Sequence, residues 1–360
     1  MRSLSAFGRR APSVALLKRI PSVAFAATLV AGFLAGPFAA RAAEEVNIYS
    51  YREPGLIKPL LDTFTKETGI ETNVVYAKNG LIERLSAEGR NSPADLLLTA
   101  DSGLLIQAVD AGVTQPLKDD VLEKAIPASL RDDDGRWFGL TRRARVVYAS
   151  KDRVNIDAIS YEDLADKKWR NKICIRSGQH AYNIALIASM IAHHGEEYTE
   201  TWLTELKKNL ARKPSGGDRE GVRDVQAGLC DLSVGNTYYM AAMLKNPDQK
   251  AWADSVNMIF PNKDGRGTHV NVSGVSLTAN APNKDNAVKL MHFLVSPDAQ
   301  KIYAEGNGEY PVVDGVPASE LVQSWGELNP DPLPLTEIAA LRKKASELVD
   351  RVQFDQGPNF

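Results

Sequence analysis

Two long extended segments interrupt an otherwise regular alternation of strands and helices, and they constrain the fold more than any other feature. Between residues 46 and 111, short apolar runs alternate with segments of helical spacing, which is typical of βαβ units. Residues 137–150 then form one long predicted strand, a second α/β block follows, and residues 268–278 form a second long strand. We therefore predict an α/β fold of two lobes joined by two crossing β-strands, with a ligand cleft between the lobes.

The individual elements follow from local patterns. In the first block, the predicted strands are 46–51, 70–76 and 94–100, and the predicted helices are 56–68, 81–87 and 103–111. In the second block, the predicted strands are 172–177 and 229–234, and the predicted helices are 181–192, 201–210, 221–227 and one beginning near Thr237. After the second long strand come helices 283–295 and 297–304, with Ser296 as N-cap, and a C-terminal helix near 335–349.

The N-terminal segment differs in composition from the rest of the chain. Residues 1–42 carry six basic and no acidic residues, and their apolar run ends in the small-x-small sequence Ala40-Arg41-Ala42. This pattern predicts a cleaved signal peptide and a periplasmic protein, the alternative being a retained membrane anchor. Cleavage would change the formal charge from −2 to −8, because six positive charges leave with the segment. An acidic chain is not built to hold nucleic acid by bulk electrostatics, and we expect no nucleic-acid partner.

The chain contains two cysteines, Cys174 and Cys230. In an oxidising compartment this number favours one disulfide, whereas two buried free thiols are the alternative. The nucleophile, zinc-protease, P-loop and dinucleotide-binding motifs GxSxG, HExxH, GxxxxGK[ST] and GxGxxG do not occur. The five histidines form no metal-ligand pattern, so we expect no catalytic activity.

Tyrosines occupy two predicted strand-to-helix turns. Tyr238 and Tyr239 stand in the sequence GNTYYM, where Thr237 is available to cap the helix, and Tyr182 ends the sequence SGQHAY. Taken singly, each turn is explained by aromatic packing in the core. Taken together, they would bring three phenols to the strand ends of one lobe, and phenolate oxygens are hard ligands. Ferric iron is acidic enough to displace the phenolic protons near neutral pH, so the pattern predicts a ferric iron site.

An anion would complete such a site, since three phenolates leave coordination positions free. The backbone N–H groups after Ser177 and Gly178 open a helix, where an anion can bind. Arg52 follows the first strand, and Arg143 lies in the first long strand; arginine holds planar oxyanions through two parallel hydrogen bonds. The alternative for both arginines is solvation or a salt bridge.

The sequence resembles the periplasmic ferric-iron-binding proteins, the receptors of ABC-type iron importers. The similar stretches are YSYREPGLIKPLL, SPADLLLTAD, GLTRRARVVYASKDRV, ARKPSGGDR, GNTYYM and NVSGVSL. The resemblance implies a type II periplasmic binding protein fold and a chain that works as a monomer with an inner-membrane permease. It also implies Tyr182, Tyr238 and Tyr239 as iron ligands, and carbonate or bicarbonate held by Arg52 and Arg143. Some members use a His or Tyr after the first strand, but here Arg52-Glu53-Pro54 offers neither, which indicates the three-tyrosine subgroup.

The predicted domain division follows from this layout. We expect the N-terminal lobe to comprise residues 43–143 and 269–315, and the C-terminal lobe residues 144–268 and 316–360. The iron is expected to arrive as a free ion or as a ferric chelate. A second possibility is that the same scaffold binds a small organic solute such as thiamine or a polyamine, on which the tyrosines would stack. A third is an exported enzyme, against which the absence of nucleophile motifs argues.

Overall fold

Strands and helices alternate along the chain much as predicted. The computed structural model describes residues 44–358, so the predicted signal peptide lies outside the described residues. None of the helices within this range combines the length and apolar character needed to cross a membrane. The strands are β1 (Glu45–Ser50), β2 (Glu71–Tyr76), β3 (Leu96–Thr99), β4 (Phe138–Ser150), β5 (Ile173–Cys174), β6 (Leu232–Asn236), β7 (Val256–Ile259), β8 (Val270–Leu277) and β9 (Tyr310–Pro311).

The helices pack around these strands. They are α1 (Pro54–Thr68), α2 (Leu81–Glu88), α3 (Ser102–Asp110), α4 (Asp120–Ala125), α5 (Ala181–His194), α6 (Glu196–Asn209), α7 (Asp218–Gln226), α8 (Thr237–Lys245), α9 (Pro247–Asp254), α10 (Lys284–Leu294), α11 (Pro297–Asn307), α12 (Glu320–Gln323), α13 (Leu335–Ala340) and α14 (Arg342–Arg351). Leu56, Leu60, Leu61 and Phe64 carry the spacing that predicts α1; Leu60, Leu61 and Phe64 are buried together with Ile57, whereas Leu56 is half-buried. Ser296 caps α11 by accepting a hydrogen bond from the Ala299 backbone N–H, also as predicted.

Strand β4 belongs to two sheets. Its first half pairs with β8 in a sheet whose order is β2-β1-β3-β8-β4, and β1 pairs in parallel with β2 and β3. Its second half, from Arg145, pairs antiparallel with β6 and β7, and β6 in turn pairs in parallel with β5. The chain therefore passes from one sheet to the other inside β4 and returns between β7 and β8. The predicted lobe boundaries stay a prediction, since the strands alone do not fix them.

Several predicted elements differ from the structure, and the largest difference is in α6, which begins at Glu196, five residues before the predicted start. Strand β5 covers only Ile173–Cys174, shorter than the predicted 172–177, because Ser177 and Gly178 turn away to contact the C-terminal segment. Strand β6 begins at Leu232, three residues later than predicted, because a turn at Gly228 with positive φ precedes it. The predicted C-terminal helix is two helices, α13 and α14, which meet at Leu341.

Cys174 and Cys230 form the predicted disulfide, which joins the edge strand β5 to the segment before β6. Their Cα atoms are 5.8 Å apart, and the pair closes a loop of 56 positions. In the loop-entropy account, such a cross-link stabilises the fold by about 4 kcal/mol, because it restricts the unfolded chain.

We expect the double variant Cys174→Ala/Cys230→Ala to lose about 3–4 kcal/mol of unfolding free energy, measured by urea denaturation. Wild-type protein with its disulfide fully reduced should show the same fall in midpoint. A variant as stable as the oxidised wild type would show that the bridge does not stabilise this fold.

Candidate metal centre

Tyr238 and Tyr239 lie in the first turn of α8, immediately after strand β6. The preceding Gly235 is required because a Cβ there would lie 2.6 Å from the Tyr148 ring. The Tyr148 hydroxyl donates to the Asn236 carbonyl oxygen at 2.7 Å, which fixes the backbone just before the tyrosine pair. Thr237 does not cap the helix as expected; instead, its hydroxyl accepts from the Ala144 N–H at 3.3 Å, which ties α8 to the crossing strand.

Tyr182 lies in the first turn of α5. His180 is the N-cap, and its Nδ1 accepts from the Tyr182 N–H at 3.2 Å. The Asn183 side-chain amide donates to the carbonyls of Arg176 and Ser177 at 3.1 and 3.0 Å, closing the loop before the helix. Burial and the nearby Arg176 lower the pKa of His180 to about 4, so its ring is neutral at pH 7 and can act as this acceptor.

The structure brings the three predicted phenols together in one cleft. The hydroxyl oxygens of Tyr182 and Tyr238 are 3.2 Å apart, and the rings of Tyr238 and Tyr239 lie with centroids 4.2 Å apart. All three side chains are half-buried and line a cavity of about 480 Å³. The alternative that they are sealed in the apolar core therefore does not describe their position. Their role as metal ligands stays a prediction.

The environment of the phenols keeps them protonated when no cation is bound. Burial, reinforced by the neighbouring Tyr182, raises the pKa of Tyr239 to about 12. The pKa of Tyr238 is raised well above 10 by burial and by Tyr182 and Tyr239, because phenolates placed together repel one another. A cation that binds here must therefore displace protons and hold the phenolates together.

Arg52 and Arg143 lie at the cleft as predicted, but they meet around a carboxylate that the sequence analysis missed. Arg52 donates through both terminal nitrogens to Glu309, at 3.2 and 2.8 Å, and a nitrogen of Arg143 lies 3.5 Å from the same carboxylate. All three side chains are buried. The negative charge of Glu309 does not attract an incoming anion. The two guanidinium groups and the one carboxylate together still carry one net positive charge. No local motif marks Glu309, which lies 257 positions after Arg52.

Ser177 and Gly178 do not form a vacant anion site, contrary to the sequence-based expectation. The Ser177 hydroxyl and the Gly178 N–H both donate to the carboxylate of Asp355, at 2.5 and 2.6 Å. Gly178 has no room for a Cβ, because Phe354 and Val349 lie within 3 Å of that position. These two residues instead attach the C-terminal segment to the loop that carries Tyr182.

A buried ionic network underlies the tyrosines. Arg145, in β4, pairs with Asp218 at the start of α7, and its other terminal nitrogen donates to the Asn183 side chain at 2.7 Å. It also donates to the Asn236 side chain at 3.2 Å, and the Asn236 N–H donates to Asp218 at 3.1 Å. Asp218 has a second basic partner, Arg176, at 3.3 Å. The network thus contacts the neighbours of Tyr182 and Tyr238, and sequence patterns did not predict it.

The donor set at the cleft consists of phenol oxygens. Within residues 44–358, no group of three or more His, Cys, Asp or Glu side chains is arranged to hold a metal ion. The guanidinium carbons of three arginines lie 5.4 to 6.0 Å from the centre of the Tyr182 ring: Arg143, Arg145 and Arg176. Phenol oxygens, once deprotonated, are hard ligands, so this donor set suits a hard cation.

The chain is similar to known bacterial binding proteins over most of its length. The family model described as bacterial extracellular solute-binding protein matches residues 60–330. The iron uptake protein A1 of Synechocystis sp. is 43% identical over 311 residues, covering 85% of this chain and 86% of that protein. A solved Bordetella ferric binding protein is 51% identical with a TM-score of 0.82, covering 87% of this chain and 100% of that one. A Trichodesmium protein in complex with iron and citrate ligands is 44% identical with a TM-score of 0.83, covering 86% and 99%.

These similarities confirm the resemblance that was read from the motifs and the predicted two-lobed α/β binding-protein fold. They also agree with the expectation of a binding protein instead of an enzyme.

Proposed function

The chain belongs to the family of bacterial extracellular solute-binding proteins, and we propose that its solute is ferric iron bound by the phenolate oxygens of Tyr182, Tyr238 and Tyr239. The observation that carries the proposal is the meeting of these three phenols in one cleft, with two hydroxyls 3.2 Å apart. Three phenolates neutralise the charge of a ferric ion. They also exclude most divalent cations, which are too weakly acidic to displace protons from phenols with raised pKa values.

An anion from solution completes the proposed site. Arg143 keeps donors for it: among the described residues its side chain makes one hydrogen bond, to the Val272 carbonyl at 3.3 Å, and a looser ion pair with Glu309 at 3.5 Å, and its Nε has no partner. We propose carbonate or bicarbonate, beside Arg143 and Arg52, for this role, because arginine holds planar oxyanions through two parallel hydrogen bonds. Glu309 holds the Arg52 guanidinium in place, so Arg52 would contribute mainly its charge.

Delivery of the iron follows from the family. We propose that residues 1–42 direct the chain to the periplasm and that an ABC-type permease in the inner membrane receives the iron from the protein, which acts as a monomer. The lobes would move about the two places where the chain passes between the sheets, which are the middle of β4 and the segment between β7 and β8. Since ferrous iron binds phenolate more weakly and protons compete for the oxygens, reduction or protonation would favour release.

Titration of the purified, metal-free protein with ferric nitrilotriacetate in bicarbonate buffer tests the proposal. We expect one iron per chain, a visible orange-red phenolate-to-iron band, and the release of about three protons per iron, because phenols whose ordinary pKa is about 10 are protonated at pH 7. The pKa values of Tyr238 and Tyr239 are raised further, so apparent affinity should fall as the pH falls. Calorimetry in buffers of different ionisation enthalpy counts the protons.

Thiamine and spermidine serve as comparison ligands in the same calorimetric experiment. If either solute binds and no coloured iron complex forms, the cargo of this protein is an organic solute instead of ferric iron. A coloured complex that releases fewer than two protons would contradict the three-phenolate ligand set.

A further inference from the structure

A small second cavity lies where the chain passes between the two sheets, and we call it the inter-sheet cavity. It leaves about 10 Å³ for the centre of a water-sized sphere, so it holds one atom of about that size. Arg143 and Tyr182 line both this cavity and the tyrosine cleft, so they form the wall between the two. The remaining lining residues come from β4, from the end of β6 and from the start of β8: Arg145, Asn236, His269 and Asn271.

Four buried nitrogen atoms on the lining side chains have no hydrogen-bond partner within the described residues. They are Nε of Arg143, Nε of Arg145, Nδ2 of Asn236 and Nδ1 of His269, on residues that are at most 3% exposed. The Asn236 side-chain oxygen accepts from Arg145, so the nitrogen that remains is a donor. Because a buried donor without a partner destabilises a fold, four such atoms on the lining of one cavity indicate an occupant.

The kind of donor distinguishes a water molecule from an anion. The two arginine Nε atoms and the asparagine Nδ2 can only donate. A water molecule has two acceptor positions and would leave one of these three donors unpaired, whereas a halide ion accepts from all three. Burial lowers the pKa of His269 to about 4, so its ring is neutral at pH 7 and can carry its one proton on Nδ1 as a fourth donor.

The charges around the inter-sheet cavity also favour an anion. The inner arginines share their carboxylate partners in pairs: Arg52 and Arg143 contact Glu309, and Arg145 and Arg176 contact Asp218. Four guanidinium groups therefore face two carboxylates, which leaves two positive charges in excess. The Asp101 carboxylate, which accepts from the Asn271 side chain at 2.7 Å, has its own basic partner in Arg342 at 3.3 Å. Since unpaired charge is costly in a desolvated space, a small anion would stabilise this cluster.

We propose that the inter-sheet cavity binds one monovalent anion of the halide class, such as chloride, through N–H groups of Arg143, Arg145 and Asn236. Carbonate, with its four heavy atoms, is too large for a space that holds one atom, so this site is distinct from the anion position proposed in the cleft. Arg143 would serve both anions, the carbonate through a terminal nitrogen and the halide through Nε. The inference does not rest on the proposed iron function.

The position of the site gives the anion a structural role. Arg143 and Arg145 lie on either side of the point where β4 leaves one sheet for the other, and His269 lies on the segment by which the chain returns. An anion that contacts these residues would stabilise both passages between the sheets in the metal-free protein.

Crystals of the metal-free protein, grown with sodium bromide in a buffer without bicarbonate, test the proposal directly, because bromide scatters X-rays anomalously. We expect one anomalous peak in the inter-sheet cavity. In solution, the thermal unfolding midpoint should rise by about 2–4 °C between about 1 and 100 mM chloride, with gluconate keeping the ionic strength constant. The reason is that an ion that binds only the folded chain stabilises it.

Asn236→Asp is the test variant. It keeps the oxygen that accepts from Arg145 and replaces the unpartnered amide nitrogen by a charged oxygen. Because this negative charge takes the place of the anion, we expect no bromide peak and the loss of most of the chloride dependence. The matched control is Asn91→Asp, which adds the same charge at an exposed position outside the cavity and should behave as wild type does.

Wild-type crystals with a water molecule and no bromide in the cavity would overturn the proposal, as would an equal chloride dependence in wild type and Asn236→Asp. A bromide peak without any chloride-dependent rise in the unfolding midpoint would identify an adventitious ion only, and would also overturn it. Iron binding is measured separately, in chloride-free bicarbonate buffer. A coloured iron complex together with a negative bromide result would leave the proposed iron function standing, and the reverse result would leave only the anion site.

Discussion

Phenylalanine in place of Tyr238 or Tyr239 is expected to remove most ferric iron binding and to remove or shift the visible phenolate-to-iron band. Each substitution keeps the ring, and so the 4.2 Å ring contact within the pair, but removes one of the proposed ligand oxygens. Loss of groups that only support a metal ligand typically costs 10- to 100-fold in affinity, so loss of a ligand should cost more than about 100-fold. Absorbance titration with ferric nitrilotriacetate measures both effects.

Tyr198→Phe is the matched control, because Tyr198 lies in α6, is 44% exposed and does not line the cleft. We expect that variant to bind iron as wild type does. If Tyr238→Phe and Tyr239→Phe both keep the band and the affinity, the phenolate assignment is wrong.

Asp218→Ala is expected to produce the largest loss of stability among the substitutions near the cleft. Asp218 is the carboxylate partner of two arginines, the fully buried Arg145 and the largely buried Arg176. Removing it leaves buried positive charge without a counter-charge, which typically costs 3–5 kcal/mol. The loss should appear as a lower unfolding free energy of the metal-free protein in urea denaturation.

Arg145→Met should be less destabilising than Asp218→Ala, because Arg176 still neutralises Asp218 in that variant. Asp62→Ala is the control: its ion pair with Lys58 is exposed, and exposed pairs contribute about 0–1 kcal/mol. If Asp218→Ala costs no more than Asp62→Ala, the network does not stabilise the fold.

Predictions from sequence were most successful where a pattern is local. Helix α1 follows from apolar residues three and four positions apart, the cap of α11 from Ser296-Pro297, and the disulfide from there being only two cysteines. The long strand at 137–150 also indicated a crossing, because a strand of that length extends beyond one sheet. Tyrosines at the strand-to-helix turns that follow β6 and β5 indicated one shared site, since the ends of neighbouring parallel strands meet.

The tertiary structure decided which charges face one another. Arg52 meets Glu309, Ser177 meets Asp355, and Arg145 meets Asp218, over separations of 257, 178 and 73 positions. Periodicity and capping report only on neighbours within a few residues, whereas these pairs form because the folded elements bring distant polar groups into a common desolvated space, where each buried charge needs a partner. The sequence by itself therefore determined the elements and the tyrosine set; the folded chain determined which arginines are already paired and which cations remain available for a ligand.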